Sequence, residues 1–379
     1  VYGMAIASGF AVAVLGPAMP ALRDELGISR TVGGLHFSAL ALGAVVSGFT
    51  LEAVTRALSR TTTFWVASTG IAAGCAVVAI GPNALITIAG ALIVGMCGAA
   101  MLSVSQASLV GSDEHDQAVR LSQLHASTSF GSVLPAFAVA ALIVAGLGWR
   151  PALLVPIVVV VALAAAFRTL VFPPPPPGSD RHDGRRALPL AYWIFWAAFI
   201  PAVGAEWSIG AWGAGYLVDI IGSAPATAAL VMVSFFGAIS LGRLIGSRLA
   251  RWVAPFPMLA TSSALALGGF AVLVTSESAP GATLGLFVTG LGISVAFPLL
   301  LTMAMAAAPD RPDEASAKTF ISAGASVAVA PFILGALSDS IGLSRAFLMV
   351  PVLLILLVVL AGLGRWSDER DVREASSMS

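Results

Sequence analysis

Glu206 stands in the middle of an apolar run, 189–217, in which it is the only charged residue. A charge at the centre of a lipid-embedded helix costs about 2.5–3.5 kcal/mol on insertion scales. Such a side chain must face protein or water rather than lipid. There it acts either as a proton carrier or as a structural carboxyl tied to a hydroxyl, Arg or His. Trp207, Trp212 and Tyr216 follow it closely. Trp212 and Tyr216 are four residues apart and share a helix face. Their rings suit stacking on a sugar ring or an aromatic solute. The competing reading, an aromatic belt at the membrane surface, is favoured for Tyr216.

His125 lies in a polar stretch with Ser122, Gln123, Ser127, Thr128 and Ser129. Ser122, His125 and Ser129 fall on one helix face, as the wall of a watery cavity would require. A histidine there suits a proton relay, against the plainer reading of a satisfied interhelical hydrogen bond. Lys318, Thr319 and Ser322 occupy the related stretch near the other end of the chain. Gln106, with Ser103 and Ser105, offers hydrogen bonds to a solute or to a neighbouring helix.

A third group suits gating. Glu52 and Arg56 are spaced as an ion pair on one helix face, four residues after Gly48. The plain alternative is a surface pair worth under ~1 kcal/mol. Arg243 falls inside an apolar run and needs an acidic partner or a route to the surface. His36 is expected at the outer surface, and Asp339 in a turn after the eleventh run. Cys75 and Cys97 read as packing residues in apolar runs. Metal-ligand clusters, phosphate loops and catalytic triads are not legible, so neither enzymatic activity nor a cofactor is expected.

The elements that must position these residues are membrane helices. The chain is 58% hydrophobic and 10% charged, against roughly 25% charged in soluble domains. Apolar runs, each near the ~20 residues a span needs, fall at 2–21, 32–56, 62–81, 84–110, 118–146, 149–171, 189–217, 225–249, 256–275, 281–308, 315–337 and 344–364. They do not alternate as barrel strands must. The fold expected is an all-α membrane protein of about twelve transmembrane helices. Residues 173–188 open with five prolines and turn polar and basic, which predicts a cytoplasmic linker. The expected organisation is a first half over 1–172, the linker, a second half over 189–364 and a cytoplasmic tail over 365–379. With the linker inside, 15 of the 19 Lys and Arg lie on the inner side. That bias follows the positive-inside rule and places both termini in the cytoplasm. A zero net charge implies no attraction to nucleic acid.

The two halves repeat at an offset near 195. Arg150 to Pro156 matches Arg345 to Pro351, Asp24 and Gly27 match Asp219 and Gly222, Pro135 matches Pro331, and Gly43 and Gly48 match Gly237 and Gly242. Parallel six-helix repeats place a solute site at their interface near the midplane.

Twelve spans, this repeat, the basic linker and the Gly48, Glu52, Arg56 segment resemble the major facilitator superfamily. Ala53 and Thr55 depart from that family's loop signature. A narrower resemblance, on Glu206, Trp212, Tyr216, His125, Gly131 and Pro135, is to its fucose-permease-like branch of proton-coupled symporters. The branch's acid in the first span is missing here. The resemblance implies two pseudo-symmetric halves that rock about a central site lined by spans 1, 4, 7 and 10, and a loop governing the switch. Glu206 and His125 are then the proton-coupling candidates. Trp207, Trp212, Gln106 and Ser129 are the solute-binding candidates, and Gly48, Glu52, Arg56 and Arg243 the gating ones. Proton-coupled import of a small organic solute through a bacterial inner membrane, by a monomer, is the expected function. Drug/proton antiport is the alternative, and a non-transporting sensor or assembly factor the alternative from another class.

Overall fold

The structure, a computed structural model, describes residues 1–109, 114–167, 169, 171–172, 188–308 and 312–377. It is built from helices in chain order. These are α1 (Tyr2–Leu26), α2 (Arg30–Leu58), α3 (Arg60–Ile80), α4 (Ala84–Leu109), α5 (Glu114–Val144) and α6 (Arg150–Ala166). They continue as α7 (Leu190–Asp219), α8 (Pro225–Leu249), α9 (Pro255–Thr275), α10 (Ala279–Ala306), α11 (Pro312–Ile341) and α12 (Leu343–Arg370). Eleven of them are long and apolar enough to cross a membrane, and α6 is apolar but shorter. At 1.5 Å per residue its described part reaches about 25 Å. Most of the predicted linker, 173–187, lies outside the described residues.

Two spans are broken for local reasons. α1 is interrupted at Val14, where Pro17 supplies no N–H to the Ala13 carbonyl. α10 is interrupted at Ser294 and Val295, where Pro298 leaves the Ser294 carbonyl without a helical donor. The Ser294 hydroxyl turns back to the Leu291 carbonyl at 2.6 Å.

The helix ends differ from the sequence expectation in two places. α11 continues through Asp339 to Ile341, so Asp339 is helical and the turn falls at Gly342, with φ 86°. Beyond Arg370 the chain stays helical to Ser377, so the described tail extends the last helix. Gly27 and Gly222, matched by the repeat, close α1 and the turn after α7 with φ of 61° and 73°. That left-handed backbone favours glycine.

The chain divides into two units. The first comprises Val1–His182 with Ala224–Val233, and the second Asp183–Ser223 with Ser234–Ser379. In the first, α1 packs on α5 and α6, and α4 on α2 and α3. In the second, α7 packs on α11, α12 and α10, and α9 on α10. Small residues let the backbones meet. Gly43 abuts the Leu92 carbonyl while Gly95 abuts the Leu40 carbonyl, a reciprocal crossing of α2 and α4.

Candidate functional site

Among the described residues, an ion pair joins two helices of the second unit. Arg243 on α8 donates from Nη2 to Glu206 Oε1 on α7 over 3.3 Å. Their side chains are 40% and 23% exposed, respectively. Glu206 is midway along α7, and the helices around it hold no substitute for Arg243. α9 and α10 contain no ionisable residue. Between Lys318 and Asp339, α11 has none, and between Arg345 and Arg365, α12 has none. Lys318 sits over the Trp193 ring at 5.3 Å, more than three turns of α7 from Glu206. The acidic partner that Arg243 requires is thus Glu206. Sequence spacing gave no sign of it, because the two are 37 residues apart on different helices. Elimination points to it, since Glu206 is the one acid deep in a span of this unit.

The aromatic residues near Glu206 diverge. Trp212, a solute-stacking candidate, is fully buried and donates its indole N–H to the Pro331 carbonyl at 2.8 Å. Its ring is a packing element of the α7–α11 seam, because helix-on-helix contact occupies the face expected to meet solute. Three further bonds close that seam. The Trp196 indole donates to the Lys318 carbonyl (2.8 Å), Ser322 to the Trp196 carbonyl (2.8 Å) and Ser326 to the Ile200 carbonyl (2.6 Å). Trp207 is half-buried. Tyr216, expected in an interfacial belt, is buried with its ring 4.8 Å from that of Phe347.

In the first unit the structure brings together Gln106 and His125. The Gln106 amide donates to His125 Nε2 over 3.3 Å, joining α4 to α5. The ring is exposed and the amide half-buried. Ser129, one turn on, is half-buried. Another face of α5 borders a cavity of about 450 Å³ lined by Tyr2, Ile6, Gln123, Ala126, Ser127 and Phe130. The side chain of Ser122 lies outside the described residues.

Of the gating candidates, Arg243 is the partner of Glu206, and Gly48, Glu52 and Arg56 lie on α2 of the first unit. Arg56 meets Glu52 at 3.1 Å, with the two side chains 73% and 70% exposed. Gly48 has open space where a Cβ would be.

Two polar clusters escaped the sequence reading. Arg150 donates to Glu25 (2.7 Å) and to the carbonyls of Val78 (3.2 Å), Ala79 (2.6 Å) and Gly81 (2.9 Å). Trp149 donates to the other Glu25 oxygen at 2.8 Å. The guanidinium therefore ties α1, α3 and α6 together and caps the last carbonyls of α3. His36, expected at the surface, is fully buried, with Nε2 2.8 Å from the Thr87 hydroxyl and Nδ1 3.2 Å from the Val32 and Gly33 carbonyls. Its place near the start of the apolar run suggested exposure, but Thr87 of α4 covers it.

The family model of the Major Facilitator Superfamily matches residues 1–319. An uncharacterized MFS-type transporter of Yersinia pestis is 26% identical over 62% of this chain and 61% of its own length. A glucose/galactose transporter of Brucella abortus is 31% identical over 42% of this chain and 39% of its own. The chain thus spans about three-fifths and two-fifths of these relatives. Among solved structures, the nucleoside transporter NupG superposes with a TM-score of 0.74 at 15% identity, covering 97% of this chain and 98% of that one. FucP, a Major Facilitator Superfamily transporter in the outward conformation, gives 0.62 at 16%, covering 96% and 98%. At these identities the structures speak to the fold.

Proposed function

This chain belongs to the Major Facilitator Superfamily, and on that premise we propose that it imports a small organic solute by alternating access, driven by protons. It is an integral membrane transporter. The finer reading rests on the Glu206–Arg243 pair, a 3.3 Å contact between the one deep acid of the second unit and a base on the next helix. A carboxylate held by an arginine inside a span has two stable states. Charged, it is neutralised by the guanidinium. Protonated, it is neutral and frees the guanidinium for the bound solute. Exchange between these states, exposed in turn to either side, carries a proton with each cycle. With an uncharged solute the membrane potential contributes about 2.3 kcal/mol per proton per 100 mV; with an anion the pH gradient alone drives accumulation.

Gln106, His125 and Ser129 supply polar contacts in the first unit, and Trp207 an aromatic face in the second. His125 serves the coupling as a relay. Glu52 and Arg56 latch the inner end of α2, next to Gly48. The protein works as a monomer in the bacterial cytoplasmic membrane with both termini inside. The Brucella relative's name makes glucose and galactose the uncharged solutes to test first.

The test uses purified protein in liposomes holding a pH dye. Addition of the transported solute outside acidifies the lumen in the wild type and not in Glu206→Gln. Solute entry without proton movement in both proteins rejects the proton-carrier role.

A further inference from the structure

We infer that Arg243 is a docking point for the carboxylate of an anionic solute, and that docking transfers the counter-ion role from Glu206 to that solute. The inference rests on the transport reading above and names the substrate class for the same site.

The first observation is unused capacity. A guanidinium has five N–H donors in a planar fork. Among the described residues, Arg243 engages one of them, Nη2 on Glu206 Oε1. At 3.3 Å this single contact is longer than the 2.7–2.9 Å typical of charge-assisted hydrogen bonds. Arg243 is also the more open of the pair, at 40% against 23% for Glu206. A carboxylate arriving from the exposed side can take the fork in the two-bond geometry that Glu206 leaves empty.

The second observation decides between anion and cation. A cationic solute docking on Glu206 would displace Arg243. The guanidinium cannot lose its proton, and no other acid lies at that depth on α7, α8, α9, α10, α11 or α12. A permanent charge would be stranded inside the span. An anionic solute docking on Arg243 displaces Glu206 instead. The freed carboxylate accepts one proton from water and becomes neutral. One anion and one proton are bound together, and the charge of the site does not change. Of the other charged groups on these helices, Lys318 sits over Trp193 and Asp219 ends α7, each more than three turns along α7 from Glu206, and Arg248 is exposed at the end of α8, five residues beyond Arg243.

The test is titration calorimetry on the full chain in detergent, run in buffers of different ionisation enthalpy to count protons. The probes are glucuronate, lactate and benzoate, each beside an uncharged counterpart: glucose, propane-1,2-diol and benzamide. At least one carboxylate is expected to bind tenfold or more tightly than its counterpart, with one proton taken up per molecule. Arg243→Gln should weaken that binding tenfold or more, and Arg243→Lys, which keeps the charge but not the fork, by less. Glu206→Gln should bind at least as tightly and take up no proton. It also controls for folding, because it removes the same ion pair. Equal binding of the uncharged counterparts, unchanged affinity in Arg243→Gln, or no carboxylate binding overturns the inference. Proton-coupled flux of an uncharged solute without carboxylate binding overturns it while leaving the transport reading intact.

Discussion

Arg150 Nε lies 2.7 Å from Glu25 Oε1, fastening the start of α6 to the end of α1. The same guanidinium caps the carbonyls that close α3. Its repeat partner Arg345 is exposed, and the position matching Glu25 is Ile220. Arg150→Ala is therefore expected to cost about 2–3 kcal/mol, since it strands a half-exposed carboxylate and three carbonyls. Arg345→Ala should cost almost nothing. Thermal unfolding of the two variants in detergent checks this, and equal melting temperatures would contradict it.

Gly95 abuts the Leu40 carbonyl, so an added methyl has nowhere to go. Gly95→Ala should destabilise by about 1–3 kcal/mol through forced separation of α2 and α4. Gly48→Ala has open space and a helical backbone, and should leave stability unchanged. Loss of folded yield for the first variant alone is the expected outcome.

Trp212→Phe keeps a buried ring but removes the donor to Pro331. A cost near 1 kcal/mol follows for the lost hydrogen bond, with more for the smaller ring. The prediction is a lower melting temperature with unchanged solute affinity. A variant of normal stability with weakened binding would return Trp212 to the solute site.

Much of the fold was legible because the membrane imposes its own length and polarity on the chain. Continuous apolar runs marked the spans, and Gly27 and Gly222 marked turns that left-handed backbone requires. The breaks at Val14 and Ser294 follow from Pro17 and Pro298, yet a hydropathy run passes through them unseen. Among candidate site residues, Glu206 and Arg243 each announced a need for a partner, but that they meet depends on how α7 and α8 pack. For Trp212 the four-residue spacing identified a face shared with Tyr216, not what covers it; Tyr216, placed in a surface belt by its position near the end of the run, is covered by Phe347. His36 and Thr87 are 51 residues apart, and their contact depends wholly on the α2–α4 crossing.

Glu52 and Arg56 are so exposed that their pairing contributes little to the folded state. Glu52→Gln and Arg56→Gln are expected to melt with the wild type. If the pair latches the gate, both variants will change the rate of solute entry without changing binding. Wild-type rates in both would remove the segment from the mechanism.

The central claim is that Glu206, held by Arg243, carries the coupled proton. The most direct measurement compares two modes of transport in liposomes bearing Glu206→Gln. Exchange of labelled for unlabelled solute at equal concentrations needs no net proton movement, whereas uphill accumulation under an imposed proton gradient does. The account predicts that the variant retains exchange and loses accumulation. Uphill accumulation at the wild-type level in Glu206→Gln would contradict it.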